Sequence, residues 1–390
     1  MSWSWRIGRI AGIDVYVHFT FFLLLAYFAG AFYIDSRSVA QAVIGVVFIL
    51  TLFGIIVLHE LGHALAARRY GIATRDITLL PIGGVARLER MPDKPSQELV
   101  VALAGPAVNV VLAALFYLLL TFGAGFPLTP VNEAIRIGGG FLSQLVWINV
   151  VLVVFNLLPA FPMDGGRVLR ALLAMRLDYV RATQIAASIG QAMAIVFVLA
   201  GLFGNPFLIF IGLFVWLGAA QEASLVQMRH ALAGIPVMRA MITDFQTLRP
   251  DDRLSHAIDY VLAGFQQDFP VTENGQLVGV LAHSDLATAL AQHGPEVRVN
   301  DVMRRDYITT SPRDMLEPAF ARLQEGGCHT SPVVENGRLV GLLTTENVTE
   351  VLMIQEAMRA ARNRPSMNRA SGHDRQEPSL QIPAPRKVLR

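Results

Sequence analysis

The sequence has one cysteine in 390 residues, Cys328. An intrachain disulfide is excluded, and so is a metal site built on paired thiolates. Cys328 reads as a small buried hydrophobe rather than a reactive thiol. Charge is also scarce: 16% of residues are Asp, Glu, Lys or Arg, against about 25% in soluble globular domains. With 53% hydrophobic residues and a mean hydropathy of +0.47, much of the chain must be embedded in lipid. The net charge is only +2, and no nucleic-acid partner is expected. A cleavable signal peptide is not expected either. The first apolar run follows Arg6 and Arg9 and continues too far for a short signal core.

What the chain does have is apolar runs of about 20 residues, the length that crosses a bilayer. Six are visible, at roughly 14–33, 40–67, 98–122, 139–159, 184–203 and 205–222. The last two are separated by Phe203-Gly204-Asn205-Pro206, which predicts a tight turn and an antiparallel hairpin. Arg6 and Arg9 precede the first run. Arg68, Arg69, Arg75, Arg87, Arg90 and Lys94 follow the second, and Arg167, Arg170, Arg176 and Arg181 follow the fourth. The opposite loops hold Arg37 and Arg136. Twelve basic residues against two predict both termini in the cytoplasm of a multi-pass cell-membrane protein.

Inside the second run stands His59-Glu60-Leu61-Gly62-His63. Imidazoles four apart on a helix share a face and can hold one zinc ion. The intervening Glu60 stands where it can take a proton from a bound water. Ionisable residues in a membrane span are costly and read as functional by default. Hydrolytic zinc takes three protein ligands, so a carboxylate or imidazole from another span is needed. The fourth run ends in Asn156-Leu-Leu-Pro159-Ala-Phe-Pro162-Met-Asp164-Gly165-Gly166. Its prolines and glycines predict a broken helix and a turn holding Asp164 at the cytoplasmic end. His59 lies nine residues before Arg68, about 13 Å below the same rim. Both segments thus approach one side of the bilayer. The alternative is an ordinary turn aspartate.

Together, His59-Glu60-x-x-His63 and Asn156-x-x-Pro159-x-x-Pro162-x-Asp164-Gly165 resemble the site-2 proteases, zinc metalloproteases that cut substrates inside the membrane. Ala104-Gly105-Pro106-Ala-Val-Asn109 and Pro81-Ile-Gly83-Gly84-Val are also similar to that family. The resemblance covers residues 10–220. It implies that His59, His63 and Asp164 bind one zinc, that Glu60 is the catalytic base, and that the substrate is another membrane protein such as a membrane-anchored regulator.

A substrate helix shields its own carbonyls, so it must be unwound and its freed backbone groups paired. The segment from Ile77 to Leu88, β-rich around Gly83 and Gly84, could form a membrane-dipping hairpin whose edge takes the substrate as a strand. A plain interfacial loop is the other reading. Asn149 and Asn156 are seven apart and share a helix face. They could bond substrate or the tetrahedral oxyanion, or act as polar glue between helices. Gly105-Pro106 reads as a kink that also allows close helix approach, a structural role. His18 reads as an interfacial histidine, the alternatives being an extra metal ligand or a pH-sensitive gate.

After Arg229 the composition becomes that of soluble sequence with a repeat. Glu273-Asn-Gly-Gln-Leu-Val-Gly279-Val-Leu matches Glu335-Asn-Gly-Arg-Leu-Val-Gly341-Leu-Leu, and Pro270 matches Pro332 at the same spacing. Each copy predicts strand, Asn-Gly turn, strand and helix. Ile235-Pro-Val-Met-Arg-Ala-Met241 and Val299-Asn-Asp-Val-Met303 head the two copies, which resemble paired cystathionine-β-synthase-type (CBS) repeats. That resemblance implies a pseudo-twofold pair, adenine nucleotide (ATP or AMP) binding, and homo-oligomers formed through the pair. The ribose position is half-matched in each copy: Asp285 stands in the first beside Ala282, and Thr344 in the second with Asn347 in place of aspartate. A purely structural module is the alternative.

The expected architecture is multi-domain: a polytopic α-helical membrane domain of six transmembrane helices (1–228), α/β CBS repeats at 229–294 and 295–357, and a disordered tail at 358–390. The expected function is regulated intramembrane proteolysis. Its rival is a CBS-gated transporter or channel whose histidines handle a permeating metal. Inverted repeats would favour that rival, and none is visible. A proteolytically inactive receptor is a third reading.

Overall fold

A computed structural model describes residues 3–81, 83–92, 94–131, 140–264, 266–325 and 329–362. Arg136, Cys328 and the chain after Arg362 lie outside those residues. The chain forms two units, Met1–His230 and Ala231–Arg390, each taken here by itself.

The first unit opens with strands. β1 (Ser4–Ile10), β2 (Ile13–His18), β3 (Thr74–Leu80) and β4 (Gly83–Leu88) form one sheet in that order. β2 and β3 run parallel; the other pairs are antiparallel. The expected first span is therefore too long at its start. Ile13, Val15 and Val17 are buried and alternate with Asp14, Tyr16 and His18, a period of two that belongs to a strand. Helix α1 (Phe19–Ser36) begins only after His18, whose Nδ1 accepts from the Thr20 amide at 3.4 Å. His18 is thus a helix cap, and it is not among the ligand atoms that converge with His59 and His63.

The remaining helices are α2 (Val39–Arg68), α3 (Pro95–Leu118, continued by a π turn to Gly123), α4 (Phe141–Asn156), α5 (Asp164–Ala174), α6 (Tyr179–Phe203) and α7 (Phe207–Leu232). Among the described residues, five helices are long and apolar enough to cross a membrane: α1, α2, α3 with its π turn, α6 and α7. The expected sixth, α4, has only 16 residues, about 24 Å against an apolar layer of about 30 Å. Its expected start at residue 139 lies outside the described residues. Its end falls three residues before Pro159, since a proline disfavours helical geometry in the residue before it. The chain then turns through 157–163 into α5, a short amphipathic helix absent from the sequence reading.

In the second unit, β5 (Phe269–Glu273) pairs with β6 (Gln276–Leu281), and β7 (Thr330–Glu335) with β8 (Arg338–Thr344). Both turns are Asn-Gly with positive φ at each residue, 52° and 79° in the first and 52° and 80° in the second. That is the twist a tight hairpin requires. Leu248 bridges Val271 in parallel, and Thr310 bridges Val333 in the same way, so the repeat extends beyond the hairpins. The helices are α8 (Leu254–Leu262), α9 (His283–His293), α10 (Leu316–Glu325) and α11 (Thr345–Arg362). α11 runs past the expected tail start at 358, because Met358-Arg-Ala-Ala-Arg362 are strong helix formers.

Candidate metal centre

His59 and His63 lie one turn apart on α2, and Asp164 is the first residue of α5. All three are buried. The two Nε2 atoms are 3.1 Å apart, and Asp164 Oδ2 lies 3.2 Å from that of His59 and 3.1 Å from that of His63. Among the described residues no other group of three His, Cys, Asp or Glu side chains converges in this way. Donors at about 2.0–2.2 Å on a tetrahedral zinc stand roughly 3.3 Å apart, so the triangle has the size of one face of that ion's shell.

The outward ring nitrogens support this fit. His63 Nδ1 lies 2.7 Å from the Val101 carbonyl, and His59 Nδ1 lies 2.5 Å from Asn109 Oδ1. Both partners are acceptors, so each Nδ1 carries the hydrogen and each neutral Nε2 is left with a lone pair. Two lone pairs and a carboxylate oxygen then face one point, and a cation is what satisfies all three.

Gly105 of α3 makes room for this centre. A Cβ there would collide with Nε2 of both histidines, so only glycine lets the α3 backbone close over the imidazoles. Glu60, half-buried, faces the sheet: its Oε2 accepts from the Ala86 amide of β4 at 3.2 Å. A Cβ on Gly84 would lie 3.0 Å from Glu60 Cγ, so the strand passes directly over this carboxylate. Among the described residues β4 is the last strand of the sheet, with β3 as its one strand partner. Gly83 opens that strand, and Ile82 lies outside the described residues.

The two asparagines of α4 differ. Asn149 is fully buried, donates to the Leu145 carbonyl at 2.8 Å, and accepts from Asn109 at 2.9 Å. Its oxygen is thus engaged between α3 and α4, and its amide nitrogen with the preceding turn of α4 itself. Asn156 is half-buried at the C-terminus of α4.

Behind the centre lies a buried ion network. Arg170 of α5, fully enclosed, bonds Glu98 of α3 (2.5 Å from Nη2) and Glu222 of α7. Its guanidinium also lies 5.1 Å from the ring centroids of Phe161 and Tyr179. Burial opposes this charge, but Glu98, Tyr179 and Glu222 raise the Arg170 pKa above its ordinary value. Glu98 and Glu222 are acids within apolar helices, a signal that could have disclosed the network from sequence.

In the second unit, a cavity of about 390 Å³ is lined by residues including Asp268, His283, Thr344, Glu346 and Asn347. Thr344 Oγ1 donates to Asn347 Oδ1 at 3.0 Å. Asp285 lies elsewhere, ion-paired with Arg304, which lines a smaller cavity of about 180 Å³ with Tyr307 and Arg322.

Comparison with known proteins bears on both units. Residues 47–137 and 131–197 match the model of peptidase family M50, and residues 227–292 and 299–354 match that of the CBS domain. The zinc metalloprotease MJ0392 of Methanocaldococcus jannaschii is 34% identical over 361 residues, covering 91% of this chain and 98% of that protein. Stage IV sporulation protein FB of Bacillus subtilis is 28% identical over 138 residues, 35% of this chain and 44% of that one. The solved site-2 protease from M. jannaschii is 39% identical and covers 57% of this chain and 95% of its own, with a TM-score of 0.43.

Proposed function

This chain belongs to peptidase family M50, the site-2 protease family of multi-pass membrane zinc metalloendopeptidases, and from that premise we propose that it cuts transmembrane segments of other membrane proteins. In this reading His59, His63 and Asp164 hold one zinc and Glu60 is the general base. The observation that carries it is the convergence of three buried ligand atoms, set among apolar helices, beside a sheet edge. Zinc held there would supply a Lewis acid and lower the pKa of a bound water to about 7. Glu60 takes the proton of the attacking water and returns it to the leaving amine. His59, His63 and Asp164 hold their positions through rigid helices, so little reorganisation accompanies the reaction.

Substrate enters as an added strand along β4. A membrane helix must be unwound before its carbonyls can be attacked, and an open strand edge pairs the groups that unwinding frees. The Ala86 amide, which bonds Glu60, lies on that strand, so a peptide placed there runs beside the base. Asn156, at the broken end of α4, faces the same proposal as a donor to substrate or oxyanion.

The CBS pair tunes this activity through an adenine nucleotide. Thr344 and Asn347 contribute to the larger cavity, whose described lining holds Asp268 and Glu346 but no lysine or arginine. AMP or a nucleoside suits it better than a polyphosphate. Asp285 serves the smaller, arginine-lined cavity through Arg304. Homo-oligomers form through this pair, and both termini face the cytoplasm, as the twelve-to-two basic asymmetry favours. The test is cleavage of a helix-destabilised transmembrane substrate in detergent or vesicles. A chelator should abolish cleavage and stoichiometric zinc restore it, while Asp164→Ala should neither bind zinc nor cleave. Chelator-resistant cleavage would overturn the reading.

A further inference from the structure

We propose that Asn149 and Asn109 form a relay that fixes the tautomer of His59, anchored on the main-chain carbonyl of Leu145. The relay is read in one direction only. The Leu145 oxygen can accept but not donate, so Asn149 must present its amide nitrogen to it. The carbonyl oxygen of Asn149 then faces Asn109 and in turn takes an amide hydrogen, at 2.9 Å. That turns the Asn109 oxygen to His59 Nδ1, 2.5 Å away. An amide oxygen cannot donate, so Nδ1 must carry the hydrogen and Nε2 must keep its lone pair. The backbone carbonyl of Leu145 thus dictates the orientation of all three groups.

The two histidines solve one problem by different means. A neutral imidazole with its hydrogen on Nε2 has no lone pair on that atom for a metal. His63 is held in the useful tautomer by the Val101 carbonyl of α3. His59 instead bonds a side chain of α3, and a free amide could present either end. Asn149 on α4 removes that freedom. Both asparagines are fully buried, so neither is placed to touch substrate; they act through His59 as positioning residues. The relay also ties three helices together, α2, α3 and α4.

This inference rests on His59 being a zinc ligand, and the test separates the two. Zinc affinity of the full-length protein in detergent is measured by competition with a chromophoric chelator, beside the unfolding temperature of each metal-free variant. Asn109→Asp keeps an oxygen for His59 and should bind zinc within a few-fold of wild type. Asn109→Leu, nearly the same size, removes the acceptor and should weaken zinc about 10- to 100-fold. Asn149→Asp still orients Asn109 and should stay near wild type, whereas Asn149→Leu should lose several-fold. The Asn149 pair preserves the test should Asn109→Leu fail to fold. Equal weakening by the aspartate and leucine variants would show mere packing and overturn the relay, as would no weakening by either leucine. Absence of zinc from wild type would instead defeat the metal site itself.

Discussion

Gly105 sits where α3 crosses the two imidazoles, and an added methyl group there meets Nε2 of both. Alanine is the better helix former by up to about 1 kcal/mol, so Gly105→Ala should leave the helix intact. The imidazoles must then rotate or α3 must retreat. Zinc affinity should fall at least tenfold by chelator competition, with little change in unfolding temperature. At this scale the sequence was partly legible. The four-residue spacing of His59 and His63 follows from helix geometry alone, and the broken end of α4 marked Asp164. Gly105 read as a kink allowing close helix approach, and Asn149 stayed open between substrate contact and polar glue, because the groups they meet are fixed only once α3 and α4 are pressed against α2.

Among the elements, α5 decides whether Asp164 reaches the histidines. Its anchor is Arg170, enclosed by Glu98 of α3 and Glu222 of α7. Removing one partner of a buried ion pair costs about 3–5 kcal/mol, because the other charge is left uncompensated. Arg170→Ala should accordingly lower the unfolding temperature sharply, whereas Glu222→Gln, whose carboxylate is partly exposed, should cost less. β4 is the second decisive element. Ala86→Pro removes the amide that faces Glu60, and strand addition predicts at least tenfold slower cleavage with zinc content unchanged; undiminished cleavage would argue against that entry route. Hydropathy found the long helices but swallowed β2 into the first span, since Ile13-Asp-Val-Tyr-Val-His18 is apolar on average and only its alternation betrays a strand. It missed α5 for the opposite reason: its eleven residues segregate apolar and charged side chains on opposite faces and average out as neither apolar nor polar.

For the molecule as a whole, the Asn-Gly hairpins exposed the repeat in the second unit. Full-length protein with Thr344→Ala and Asn347→Ala together should keep its zinc and its basal cleavage. Any AMP-induced rise in the unfolding temperature of the wild type should disappear in it. A rise that persists would move the nucleotide to the smaller cavity beside Arg304. The account as a whole stands on Glu60 working beside a metal that it does not bind. Wild type and Glu60→Gln should therefore be compared for zinc content and for cleavage of the same transmembrane substrate. The account predicts one zinc per chain in both and a loss of about 10²- to 10⁴-fold in cleavage for the variant. Cleavage at the wild-type rate by Glu60→Gln would contradict it.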